Sequence, residues 1–196
     1  AGLSFPTFLL LPSSVFRNIV PRTDINLTYN YQQRPEYSRN MIGGKFGWSW
    51  GSKNNKWYFQ ATPLQINIVN LPYYSPQFME SLTNPFVREA YKNHFDLGLG
   101  YNMQYSSTPS INPKVSYLKA SLQVDISGNL ISAFNKFMPK DSTGAYTIWD
   151  SPYSQYIRAE GSASYTWMFG KDNKQALAVR GLIGAGLAYG NSSKMP

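Results

Sequence analysis

His94 is the only histidine in the 196 residues, and cysteine is absent. A zinc cage or a two-histidine hydrolase motif needs several such ligands, so neither fits. Gly98-Leu99-Gly100 is too short for a dinucleotide fingerprint and sits inside an alternating run rather than ahead of a helix. Its glycines read as relief of crowding or points of curvature, and Gly181, Gly184 and Gly186 read the same way. His94 reads as a polar residue where a long loop meets a strand. No catalytic constellation emerges, so the chain is expected to be no enzyme and to use no cofactor or metal. What remains is a set of charges at alternate positions: Lys45, Asp96, Lys119, Asp125, Arg158, Glu160 and Arg180. Charges so spaced line one face of extended chain. Their chemistry is that of a hydrated polar lining, or of a surface that guides another polypeptide. Arg158, Glu160 and Arg180 fall on neighbouring runs and are expected to pair across a ladder.

The elements that hold these charges must be strands. Ile25, Leu27, Tyr29 and Tyr31 alternate with Asp24, Asn26, Thr28 and Asn30. Ile42, Phe46, Trp48 and Trp50 form a second apolar set, against Lys45, Gly47 and Ser49. Phe95 to Tyr105, Ala120 to Ile126, Ile157 to Phe169 and Leu177 to Tyr189 repeat the pattern. Between Lys56 and Leu71 the phase switches, from Trp57, Phe59 and Ala61 to Leu64, Ile66 and Ile68, with Pro63 at the switch. Proline has no N–H for the ladder, so a β-bulge at Pro63 is predicted to restore the register. Leu3–Leu11 is predicted as an eighth strand.

Composition says what surrounds those strands. Aromatics make up 16% of residues and charged groups only 14%, about half the usual share of charge. That balance suits an exterior not wholly in water. Yet the mean hydropathy is −0.36, and no stretch approaches the roughly 18 apolar residues of a membrane helix. The net charge of +8 invites a nucleic-acid reading, but the basic residues are scattered and the aromatics keep a strand period. No nucleic-acid partner is expected. The chain opens on Ala1-Gly2-Leu3-Ser4-Phe5 without a basic leader, as a mature exported chain or a piece of one would.

Many runs last roughly ten residues or more, beyond the usual 5–6, and ten tilted residues match a membrane's hydrocarbon thickness. Connections alternate: Gly51–Asn55, Ser107–Pro113 and Gly170–Lys174 are short, whereas Pro72–Lys92 and Gly128–Tyr153 are long. Short helices are predicted within Ser75–Tyr91 and Leu130–Met138, folded over a barrel mouth. Aromatics gather beside the short turns: Trp48, Trp50, Trp57, Tyr58, Phe59, Tyr101, Tyr105, Trp167 and Phe169. A second group, Tyr29, Tyr31, Phe95, Tyr156 and Tyr189, lies toward the long loops. Two such bands resemble interfacial girdles. A soluble sandwich also alternates, with its apolar face as the core. Strand length, loop asymmetry and a polar face rich in Gly, Ser and Asn favour the membrane barrel. A lipid-facing arginine at the bilayer midplane costs about 2–4 kcal/mol, so the charges are expected to face the lumen.

Three patches carry a family likeness: Pro21-Arg22-Thr23-Asp24-Ile25-Asn26-Leu27-Thr28-Tyr29-Asn30-Tyr31-Gln32 with Arg34-Pro35-Glu36-Tyr37; Ser154-Gln155-Tyr156-Ile157-Arg158-Ala159-Glu160; and Gly184 to Pro196. Together they resemble the outer-membrane assembly superfamily, the BamA/TamA surface-antigen family, especially its Bacteroidetes-type members. The resemblance covers nearly the whole chain. It implies an all-β fold, an antiparallel transmembrane β-barrel. Residues 1–196 would be a single partial barrel domain: seven or eight strands of sixteen, from the later part of the fourth to the eleventh. In the family a loop with an Arg-Gly-Phe-type motif follows, and POTRA domains and the lateral gate complete the machine. None of these is recognisable here. The implied function is insertion or translocation of other outer-membrane proteins without nucleotide hydrolysis. The implied location is the bacterial outer membrane. The partners would be lipid and lipopolysaccharide, client outer-membrane proteins and accessory assembly subunits. A passive porin or transporter barrel is the alternative, and a soluble β-rich binding domain a third.

Overall fold

The computed structural model describes residues 1–11, 20–83, 91–110, 113–149 and 151–194. It is all-β. Eight strands form one antiparallel sheet: β1 (Gly2–Phe5), β2 (Val20–Gln33), β3 (Tyr37–Gly51), β4 (Trp57–Tyr74), β5 (His94–Ser106), β6 (Tyr117–Ser127), β9 (Tyr156–Phe169) and β10 (Gln175–Ala188). Between β6 and β9 a two-residue pair, β7 (Thr147–Ile148) and β8 (Ser151–Pro152), makes a separate small sheet. The large sheet is open, with β1 and β10 as its edges. The seven strands other than β1 run 11 to 18 residues.

Pairing follows the alternation because a slip of one residue would exchange the two faces of a strand. The bulge at Pro63 is present. β4 gains one residue there against both neighbours, since Phe46 faces Leu64 but Trp48 faces Ala61, and Gly98 faces Gln65 but Gly100 faces Thr62. A second irregularity, where Ser38 pairs Tyr73 but Asn40 pairs Asn70, adds a residue beside Pro72. The expected strand over Leu3–Leu11 is cut short. Pro6 cannot donate to the ladder, and the chain leaves β2 at Phe5. Residues 7–11 then fold onto Thr23, Trp48 and Trp50. Thr23 Oγ1 donates to Thr7 O at 2.6 Å, Leu9 N donates to Thr23 Oγ1, and Trp48 Nε1 donates to Leu9 O at 2.9 Å. Phe8 meets Trp50 edge-on at 6.0 Å.

The two faces differ sharply. All ten Asp, Glu, Lys and Arg residues of the strands project to one side: Arg22, Asp24, Arg39, Lys45, Asp96, Lys119, Asp125, Arg158, Glu160 and Arg180. Among the described residues, no such charge occupies the other face of β2 to β10. That other face holds Leu27, Tyr29, Ile42, Tyr165, Val179 and Ile183, all about half exposed or more. The polar side is the hollow one, because a single cavity of about 460 Å³ is lined from β4 (Tyr58), β5 (Gln104), β6 (Lys119), β9 (Ser164) and β10 (Arg180). Strands about 4.8 Å apart reach one cavity from five positions only if the sheet curls around it.

The two long connections behave differently. Between β4 and β5, Ser75 caps α1 (Pro76–Ser81) by accepting from Phe78 N at 3.2 Å. Phe78, Tyr37 and Tyr91 then form a triangle with ring centroids 5.1, 5.2 and 5.1 Å apart, at the long-loop end of the hollow. Pro85, Phe86, Val87 and Ala90 of the helical stretch predicted there lie outside the described residues. After β6 the chain turns at Gly128, whose φ of +80° favours glycine. Residues 129–149, with α2 (Asn129–Ser132), fold outward instead of over the mouth. Ile131 and Tyr153 bury Phe95, with Ile66, Ile68, Leu97, Met138 and Ile148 packed around them. β5 begins beyond the end of β6, so Phe95 and its neighbours need another cover, and this loop supplies it.

Candidate functional site

The polar hollow gathers the charges singled out in the sequence. Antiparallel register arranges its side chains in rows across β6, β9 and β10. Lys119, Ser164 and Arg180 stand directly opposite one another, one row in from Tyr117, Thr166 and Ala178 at the short-turn end. One row up, Ser121 and Ser162 share a hydroxyl hydrogen bond of 2.8 Å. Next come Gln123 and Glu160, then Asp125 and Arg158. Arg158 Nη2 donates to Asp125 Oδ2 at 3.0 Å, and Gln123 Nε2 donates to the same oxygen at 2.8 Å.

The seven charges singled out in the sequence therefore share the hollow, but they do not form one network. Arg158 pairs with Asp125 rather than Glu160, and among the described residues neither Glu160 nor Arg180 makes an ion pair. Register is the reason. Arg180 lies opposite Ser164, four residues along β9 from Glu160, or about 13 Å at the rise of a strand. Lys45 and Asp125 border a middle cavity of about 230 Å³ with Gln60, Thr62 and Asn102. Asp96 lines a third, of about 460 Å³, with Thr28, Asn67 and His94. Its Oδ1 is buried without a hydrogen-bond partner among the described residues. No group of three or more His, Asp or Glu residues among those described could hold a metal ion.

The aromatics beside the short turns do form a band on the outer face. Trp50 stacks on Phe59 at 5.5 Å, Trp57 lies 4.7 Å from Tyr105, and Trp167 lies 5.9 Å from Phe169. Trp48 packs edge-on to Phe46 at 5.4 Å, and Tyr101 lies opposite Ala61 in the row of Trp48. Tyr58 is the exception: opposite Gln104, it faces the hollow. The second aromatic group does not share one face. Tyr29 and Tyr31 are exposed on the outer face, but Phe95 is covered by the outward loop and Tyr156, opposite Ser127, faces the hollow.

Two features carry no distinctive signal in the sequence. The neutral lining of Tyr58, Gln104, Ser121, Ser162 and Ser164 was visible as polar alternation but carried no charge to draw attention. A buried amide clamp had no local signal at all. Asn191 donates from Nδ2 to Tyr146 O and Tyr153 O, both at 2.9 Å, and accepts from Tyr146 N at 2.7 Å. Gln155 accepts from Asn191 N and donates to Asn129 Oδ1, binding both ends of the outward loop to the segment after β10. No family model, curated protein or solved structure matches the chain.

Proposed function

We propose that this chain forms part of the wall of a bacterial outer-membrane β-barrel, and that the barrel inserts or translocates other outer-membrane proteins. The observation that carries the first half is the sorting of charge. Ten of ten strand charges lie on the hollow side, while the outer face is apolar and, away from the parts covered by residues 7–11 and the outward loop, exposed on strands longer than soluble sheets need. In water alone such a face would be an apolar patch far beyond the few hundred Å² that soluble monomers expose. Lipid satisfies it, and the aromatic band at the short turns then lies at one interface. The second half rests on the likeness of Pro21–Gln32, Ser154–Glu160 and Gly184–Pro196 to the assembly superfamily. On that reading the hollow holds a folded-back loop or a client strand through hydrogen bonds, with no nucleotide chemistry. Lipopolysaccharide, client barrels and accessory subunits are its partners.

A passive porin or transporter barrel is the second reading, favoured by the charged cavities that follow one another along the hollow. Depleting the full-length protein in its host separates the two. Assembly predicts that many other barrels disappear from the outer membrane, and a porin predicts loss of solute uptake alone. Fractionation into the soluble pool, with no shift between unheated and heated samples on a gel, would overturn both.

A further inference from the structure

We infer that the short-turn end of the hollow is a binding site for a phosphate-type oxyanion. The cavity of about 460 Å³ there is lined by Lys56, Lys119 and Arg180 together with the hydroxyls of Ser121, Ser162 and Ser164 and, among the described residues, by no carboxylate. Lys119 and Arg180 flank Ser164 in a single row over three adjacent strands. They are therefore about 10 Å apart at the backbone, a separation that two long side chains can close around one anion. Among the described residues, no carboxylate pairs with any of the three cations. Lys119 instead lies 5.2 Å from the Tyr117 ring. Glu160, the carboxylate farther up β9, is four residues from Ser164.

A second observation points the same way. The three short turns carry Lys53, Lys56, Lys114, Lys171 and Lys174 against a single acid, Asp172, while the connections at the other end balance their charges. Positive potential is thus concentrated at one end of the hollow, where it would draw anions toward the cavity. Arginine offers a planar fork, lysine a point charge and the serines neutral donors, the donor set that suits tetrahedral phosphate. The shared chemistry is the phosphate group, whether free or carried on a sugar headgroup.

The test is calorimetric titration of the full-length protein at low ionic strength with sodium phosphate, sodium acetate and glucosamine 1-phosphate. Phosphate should bind in preference to acetate, and K119Q and R180Q should each weaken it about tenfold, as loss of a charge-assisted bond does. K119R and R180K should retain most of the affinity, and R158Q, outside the cavity, all of it. Tighter binding of the sugar phosphate would identify a headgroup; equal binding would identify the free ion. Equal response to phosphate and acetate, or indifference to both neutralising substitutions, overturns the site. The gel heat shift of the same samples keeps this separate from the barrel. A soluble protein that binds phosphate through Lys119 and Arg180 retains the site and loses the barrel; a heat-shifting protein that ignores phosphate does the reverse.

Discussion

Asp125 on β6 and Arg158 on β9 are directly opposed, and their 3.0 Å ion pair is the one ion pair between different strands among the described residues. Its setting is unequal: the arginine side chain is 57% exposed and the carboxylate 17%. Exposure lets solvent screen the pair, so its coupling energy should be under about 1 kcal/mol. D125L should cost more than R158L, because it also strands the Gln123 amide that shares Oδ2. A double-mutant cycle from urea unfolding of the full-length protein measures both quantities. A coupling of several kcal/mol would mean that the hollow is much drier than its open cavities imply.

Leu122 and Ser121 are neighbours on β6 that face opposite ways, Leu122 outward at 38% exposure and Ser121 into the hollow. If the outer face lies in lipid, L122R should cost about 2–4 kcal/mol near mid-membrane and reduce the folded fraction, while S121R should be tolerated. If the face lies in water, L122R should instead raise solubility. Unheated gel mobility after refolding into detergent or vesicles reads the difference. Equal behaviour of the two variants would remove lipid as the occupant of the outer face.

Asp141 organises the turn inside the outward loop. Its Oδ1 accepts from Thr143 Oγ1 at 2.7 Å, Thr143 N at 2.8 Å and Ala145 N at 2.9 Å. The Thr143 hydroxyl most of all, and the backbone N–H groups after it, hold the carboxyl below its ordinary value, against a smaller opposing effect of burial. A carboxyl depressed in the folded state stabilises at pH above its unfolded value and loses that contribution as pH falls through the folded value. Exchange protection at the Ala145 amide should therefore be flat at neutral pH and fall only in the acid range. D141N should remove the pH dependence. Protection that declined between pH 6 and 8 would assign the turn to another group.

How much of this was legible depended on range. Alternation located seven long strands, and the change of phase at Pro63 disclosed a bulge that pairing on both sides of β4 makes explicit. Which charges share a face followed from the period of two. Which of them touch did not, because that requires the register between strands: Arg158 meets Asp125, 33 residues away, not Glu160 two residues along. The scattering of the second aromatic group has a similar cause. Phe95 alternates correctly, yet a loop from beyond β6 covers it. Asn191 lies 45 residues from Tyr146, and nothing in either residue's neighbourhood announces the contact. The strand expected over Leu3–Leu11 ran through Pro6, where the ladder ends, and the return of residues 7–11 onto the tryptophans had no local signal.

Glycine at positions 98 and 181 offers the sharpest contrast between a local and a packed reading. Both looked like relief of crowding. A Cβ at Gly98 would lie 2.7 Å from the carbonyl oxygen of Ile126 on the neighbouring strand, whereas one at Gly181 would meet nothing within 4 Å. The obstacle at Gly98 is backbone, which cannot rotate away. G98A must therefore move β5 against β6, beside the place where Gln65 resumes its pairing after the Pro63 bulge. A cost of about 1–3 kcal/mol is expected, in the range of overpacked interiors. G181A should be neutral or slightly stabilising, since alanine loses less chain entropy than glycine when it is fixed in a strand. Unfolding midpoints of the two variants, taken in one detergent, give the comparison directly. If G98A proved as benign as G181A, β5 and β6 would have room to shift, and the close approach at Gly98 would not be what fixes their spacing.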